Sequence, residues 1–188
     1  MDPITLASIA LSYGFTPIPL VNKRPILPKW QLTTKEKALE TITKLYQNRR
    51  CNNIGIVCGA TSGIVVVDID KNDGGLDLWQ ELVTQYGQPY TFTILTGGGG
   101  YHFYFQYDER TSQLRNGVRT INGKGIDVAT TGHQVVFAGC THQESGQTYI
   151  VLAGYEDNKP VINPMPDWLF NLLLQNQTRL DSKYKRTK

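Results

Sequence analysis

The sequence predicts a domain of mixed helix and strand, α/β in content and of the α+β kind. Three observations predict it. Ile64-Val65-Val66-Val67 is a run of β-branched residues between glycine-containing turns, which reads as a buried strand. Several stretches place apolar residues at helical spacing with cap signals at their ends. Between them, short apolar runs are separated by turn residues, as strands are. A chain of 188 residues suffices for one domain with a real core.

Asp2-Pro3 suits an N-cap followed by proline in the first helical turn. Leu6, Ile9, Ala10 and Tyr13 then share a face, and Gly14 fits the helix end. Phe15 to Leu20 reads as a short strand, and Pro17 and Pro19 assign it to an edge. Thr33 or Thr34 caps a second helix reaching about Gln47, with Ala38, Leu39, Ile42, Leu45 and Tyr46 on one face. Arg49 and Arg50 at its end suit the helix dipole. Asn53 to Cys58 is a strand, Gly59 to Gly63 a turn, and the β-branched strand follows. Lys71 to Gly75 turns into a helix whose stripe of Leu76, Trp79, Leu82, Val83 and Tyr86 is core. Further strands are expected over Thr91 to Leu95, Tyr101 to Gln106, Gly125 to Ala129, Gln134 to Ala138 and Gly146 to Val151. A last helix starts at Pro166-Asp167, with Trp168, Leu169, Leu172 and Leu173 inward, and nothing beyond about Gln177 predicts order.

The central strand ends in Asp68-Ile69-Asp70. Side chains alternate along a strand, so both carboxylates share a face, about 7 Å apart. A hard divalent ion such as Mg²⁺ or Mn²⁺ is one reason for such a pair, and a strand-capping Asx turn is the other. Four glycines, Gly97 to Gly100, join two strands where a plain hairpin needs one or two. That excess points to a close approach to the backbone, such as a phosphate. On the strand after it, Phe103 and Phe105 share the core face, and His102 and Tyr104 share the face of a candidate site. Asp127 is a third inward carboxylate candidate. The loop with Lys23, Arg24, Lys29 and Trp30 is either a contact for phosphates and bases or a surface loop with Trp30 in the core.

Net charge is +3, but residues 179–188 alone carry +4, from Arg179, Lys183, Lys185, Arg186 and Lys188 against Asp181. The rest sums to −1, so bulk charge does not announce a nucleic-acid binder and phosphate contacts must be local. Residues 110–124 supply one local cluster, with Arg110, Arg115, Arg119 and Lys124 and no acid. The basic end reads as a solvated linker following a domain over residues 1–178. Cys51, Cys58 and Cys140 are odd in number and lack zinc-ligand spacing, which predicts a reduced, intracellular and cytoplasmic protein. No run approaches the length of a membrane span.

Taken in order, these pieces resemble the bifunctional primase-polymerase (prim-pol) domains of the archaeo-eukaryotic primase superfamily, found in plasmid, phage and viral replication proteins. The match runs through Lys23-Arg24-Pro25 and Trp30, then Asn53-Ile54-Gly55-Ile56 and Val67-Asp68-Ile69-Asp70. It continues with Gly98-Gly99-Gly100-Tyr101-His102-Phe103, Gly125-Ile126-Asp127-Val128, Gly146, Tyr149 and Pro166-Asp167-Trp168-Leu169. The resemblance implies an RRM-like catalytic sheet packed with an N-terminal α/β unit. It implies two metal ions, Mg²⁺ or Mn²⁺, on Asp68, Asp70 and Asp127, which with His102 form the catalytic set. It implies that His102, Gly98, Gly99, Gly100 and Tyr104 meet an NTP or dNTP, while Lys23, Arg24, Lys29 and Trp30 meet a single-stranded DNA template. Such domains work with a helicase region in cis or in trans, and this one is expected to be a monomer in isolation. Relatives often carry an arginine soon after the third carboxylate, where this chain has Val128-Ala129-Thr130. Arg115, Arg119 or Lys124 is the substitute that the sequence offers for it, without a choice among the three. Nucleotidyl transfer by two ions about 3.5–4 Å apart suits three carboxylates. An Asp-x-Asp glycosyltransferase and a non-catalytic RRM-like binding module are the competing readings.

Overall fold

The computed structural model describes residues 1–118 and 120–186, with the side chains of 179–186 excepted. Helix α1 (Pro3–Ser12) begins where Asp2 accepts the Ile4 and Thr5 amides, both at 3.0 Å. It leads into β1 (Pro17–Val21) and the two-residue β2 (Arg24–Pro25), and then α2 (Lys35–Gln47) packs beside α1. Strand β3 (Asn53–Val57) pairs with β1, and β8 (Gln134–Val136) with β3, giving an antiparallel sheet ordered β2-β1-β3-β8.

Both prolines of β1 sit where they cost little. Thr16 and Leu20 accept the Val57 and Asn52 amides through their carbonyls, so the bonding side toward β3 belongs to the even-numbered residues. The proline nitrogens face the other edge, where β2 covers only Leu20 and Val21. The expected edge strand is therefore an edge over Pro17 and Ile18 alone, since the Pro19 carbonyl accepts the Ile26 amide at 3.4 Å.

The second sheet holds β4 (Ile64–Ile69), β5 (Thr93–Leu95), β6 (Tyr101–Gln106), β7 (Ile126–Ala129) and β9 (Ile150–Ala153), in the order β7-β4-β6-β5-β9. All its pairings are antiparallel. Helix α3 (Gly75–Tyr86) connects β4 to β5, and β6 inserts between those two strands. Helix α4 (Asp167–Arg186) closes the chain after a small hairpin, β10 (Tyr155–Glu156) with β11 (Lys159–Pro160), that the sequence reading lacked. The expectation of no order after Gln177 is corrected, because α4 continues to Arg186. Its sequence has no glycine or proline to stop it.

Alternation along β4 divides the core in two. Val65, Val67 and Ile69 join Phe103 and Phe105 under α3 and α4, where Trp79 lies 4.6 Å from the Phe103 ring. Ile64 and Val66 face the other way, into a core shared with α1, α2 and the first sheet. Asp68 continues that second face. No helix of the described residues is long and apolar enough to cross a membrane, and all three cysteines are buried and free.

Candidate active site

Register sets the site. On the central strand, Asp68 stands opposite Asp127 of β7 on one side and opposite His102 of β6 on the other. Three neighbouring strands thus present carboxylate, carboxylate and imidazole in one row. Like charges directly opposite on paired strands repel, so the sheet alone gives no reason for this pairing. His102 answers part of it: its Nε2 lies 3.5 Å from Asp68 Oδ2, while its buried Nδ1 has no partner.

The row floors an open cavity of about 790 Å³ where the two sheets part. Asp68, Asp70, Asp127, His102, Gly98 and Lys23 all line it. Asp70 Oδ1 also accepts the Asn72 amide at 3.1 Å, the Asx-turn contact that the sequence offered as one of its two readings. The cavity collects residues that sequence reasoning left outside the site: His133, His142, Ser145 and Tyr149. All three histidines of the chain therefore face one space. Their common signal was position: His133 and His142 each sit in a turn beside a strand end, as Asp70 does. Burial pushes the His133 imidazole below its ordinary range, and the Asp68 charge pulls it back. Burial first, and then the same charge, pushes the Tyr149 phenol up.

The chain matches the family model for bifunctional DNA primase/polymerase, N-terminal (Prim-Pol), over residues 6–168. The chain belongs to the Prim-Pol family. No curated protein matches it significantly. The family match spans both sheets and ends inside α4, so every residue of the row lies within it.

Several residues expected at the Prim-Pol site lie elsewhere. Tyr104 shares the His102 face yet is fully buried, 6.0 Å from Phe15 and 5.2 Å from Phe92 between ring centroids. Two residues farther along β6, that face has passed under the first sheet, so Tyr104 is core. Gly99 and Gly100 do not offer their amides to a phosphate: both donate to Thr96, at 2.9 and 3.0 Å. The close approach that the glycines permit is made by the protein itself. A Cβ on Gly100 would stand 2.1 Å from the Ile69 carbonyl oxygen, and one on Gly97 would stand 2.2 Å from His142 Cβ. Gly100→Ala should therefore destabilise the domain by about 2–3 kcal/mol. Gly98→Ala, whose Cβ meets nothing nearer than 3.7 Å, should leave the urea midpoint almost unchanged. Equal midpoints for the two variants would refute this.

The expected cations are also redirected. Arg115 faces α4, with its backbone N–H donating to Gln177 Oε1 at 3.1 Å. Lys124 extends over Gly74 at the start of α3. Arg110 pairs with Asp167, donates to the Met165 carbonyl and covers the Phe170 ring. None of the three lines the cavity. Arg119 lies outside the described residues. Trp30 is half-buried and packs against the first core, and Arg24 and Lys29 are exposed away from the cavity lining.

Proposed function

We propose that this Prim-Pol domain is a DNA-directed nucleotidyltransferase that makes and extends primers on single-stranded DNA. The row Asp127–Asp68–His102, facing one cavity together with Asp70, carries this reading. The β4-α3-β5-β6 path with β6 inserted, and β7 beside β4, supports an RRM-like catalytic sheet joined to an N-terminal α/β unit.

The donors suit hard divalent ions in kind, since carboxylate oxygens are what Mg²⁺ and Mn²⁺ take. Their places fit two ligands directly: Asp68 and Asp127 are cross-strand neighbours whose repulsion a cation relieves. Among the described residues no three such side chains are yet gathered around one point. Asp70 lines the same cavity and would be the third ligand of the set. Two such ions, if held by Asp68, Asp127 and Asp70, would supply activation of the primer hydroxyl and neutralisation of the triphosphate charge. The chain's own residues do the rest by position. His102 is held by Asp68 beside the place of reaction, and Gly98 and Lys23 line the same cavity, Lys23 as the cation for template or phosphate. Little covalent work falls to such a protein, so placement and charge carry the rate.

Primer extension and de novo synthesis on single-stranded DNA with Mg²⁺ or Mn²⁺ test the proposal, and NTP and dNTP are each to be supplied. DNA binding indifferent to metal, with no synthesis, would establish the binding-module reading instead. With Arg110, Arg115 and Lys124 committed elsewhere, template contacts reduce to about two cations near Lys23 and Arg24. The log–log salt slope for single-stranded DNA should then be about −1.5, and a slope steeper than about −3 would contradict the count.

Residues 1–178 form the catalytic domain in this proposal, and the basic 179–188 stretch leads toward a helicase region acting in cis or in trans. Among the described side chains of α4, those buried are Leu169, Phe170, Leu173, Asn176 and Gln177. Deleting 179–188, which holds none of the residues proposed for the site, should leave synthesis intact. A folded, inactive truncation would place that stretch in the working complex. The domain is proposed to act as a monomer in the cytoplasm.

A further inference from the structure

His142 is 6% exposed, lines the cavity, and is held by one edge only. Its Nδ1 receives the Ser145 amide at 3.3 Å and lies 3.0 Å from Ser145 Oγ. That hydroxyl in turn donates to the Gly97 carbonyl at 2.6 Å, which ties the imidazole to the glycine turn. Its other nitrogen, Nε2, has no protein partner among the described residues. With Nδ1 accepting the Ser145 amide, the neutral ring carries its proton on Nε2, and a protonated ring carries one there as well. The imidazole fixed at Nδ1 thus presents at the open cavity a donor that no protein group among the described residues receives.

Gly98 faces the same point. A Cβ there would lie 3.7 Å from His142 Nε2, and the Gly98 amide donates to no protein group among the described residues. A backbone amide that no protein group takes thus lies close to the open edge of the imidazole, and such a pair of N–H donors suits an anionic oxygen. Position says which anion. The Tyr149 ring stands between the two imidazoles, 5.9 Å from His102 and 6.2 Å from His142. His102 marks the carboxylate row, so His142 marks the far end of a molecule reaching away from it. Glu144, on the same loop, also lines the cavity. Directed hydrogen bonds rather than net charge must therefore do the binding.

Resting on the polymerase reading above, we infer that His142 and the Gly98 amide hold the terminal phosphate of the incoming nucleoside triphosphate. Ser145 is a positioning residue for that contact. It acts through the ring and does not touch the nucleotide.

The test compares a deoxynucleoside triphosphate with its diphosphate, by calorimetric titration of the full chain and by primer extension. His142→Ala should weaken triphosphate binding about ten- to a hundred-fold and leave the diphosphate unchanged, because a charged hydrogen bond is removed from one ligand only. The KM for nucleotide should rise by a like factor, with kcat changing less than threefold. His142→Gln, which keeps a donor near Nε2, should recover part of the loss. Ser145→Ala, which frees the ring without removing it, should show a smaller loss with the same selectivity. Equal weakening of both nucleotides by His142→Ala, or none, would overturn the assignment while wild-type extension kept the polymerase reading. A wild-type chain that binds neither nucleotide would overturn both.

Discussion

Asp68→Asn should abolish templated nucleotide addition while the domain stays folded. Asp68 is the middle of the row, opposite Asp127 and 3.5 Å from His102 Nε2, so its charge addresses both neighbours at once. Losing one preorganised electrostatic group of this kind lowers turnover by about a hundred- to a thousand-fold. Asparagine keeps the shape and removes a like charge facing Asp127, so cross-strand repulsion falls. The melting temperature should hold or rise. Primer extension with Mn²⁺ and a thermal melt check both halves. Extension within tenfold of wild type would remove Asp68 from the mechanism. A large drop in melting temperature would make the carboxylate a structural strand end.

Tyr104→Ala should cost about 3–5 kcal/mol of stability, the range for emptying a buried aromatic site. The ring is fully buried, stacks on Phe15 and meets Phe92 edge-on, so it joins α1's loop, β5 and β6 in one cluster. Its hydroxyl is buried without a partner, and burial pushes that phenol well above its ordinary range. Tyr104→Phe should therefore be neutral or stabilise by up to about 1 kcal/mol, because it removes an unpaired polar group. Nucleotide affinity should not change. Urea unfolding and nucleotide titration measure the two effects. A tenfold loss of nucleotide affinity in the phenylalanine variant would return Tyr104 to the site.

These two residues show how far the sequence was legible. Asp68 and Tyr104 both follow strict alternation on paired strands, and both share the inward face opposite α3 and α4. The alternation rule assigns faces correctly, because it depends only on local backbone geometry. It does not say where along a face the covering layer ends. That boundary is set by the first sheet, whose β3 and β8 cover Val66 and Tyr104 and stop short of Asp68 and His102. The glycine turn illustrates the same limit. Four glycines announce a close approach, but not what approaches. Here it is the Ile69 carbonyl and His142, which come from residues distant in the chain or across the ladder.

By itself the sequence determined most of the elements, though not the β10–β11 hairpin or the length of α4, together with the two faces of the central strand and the positions of Asp68 and His102. It also carried the ordered motifs that mark a Prim-Pol chain. Those properties are local or ordered along the chain, so side-chain periodicity and spacing express them. Tertiary structure alone decided that Arg110, Arg115 and Lys124 serve α3 and α4 rather than the cavity, and that His133, His142 and Tyr149 join it. Such choices depend on contacts between segments tens of residues apart. A cation beside Gln177 and a cation beside a phosphate look the same until packing brings one partner near, since an arginine's reach is set by its neighbours in space.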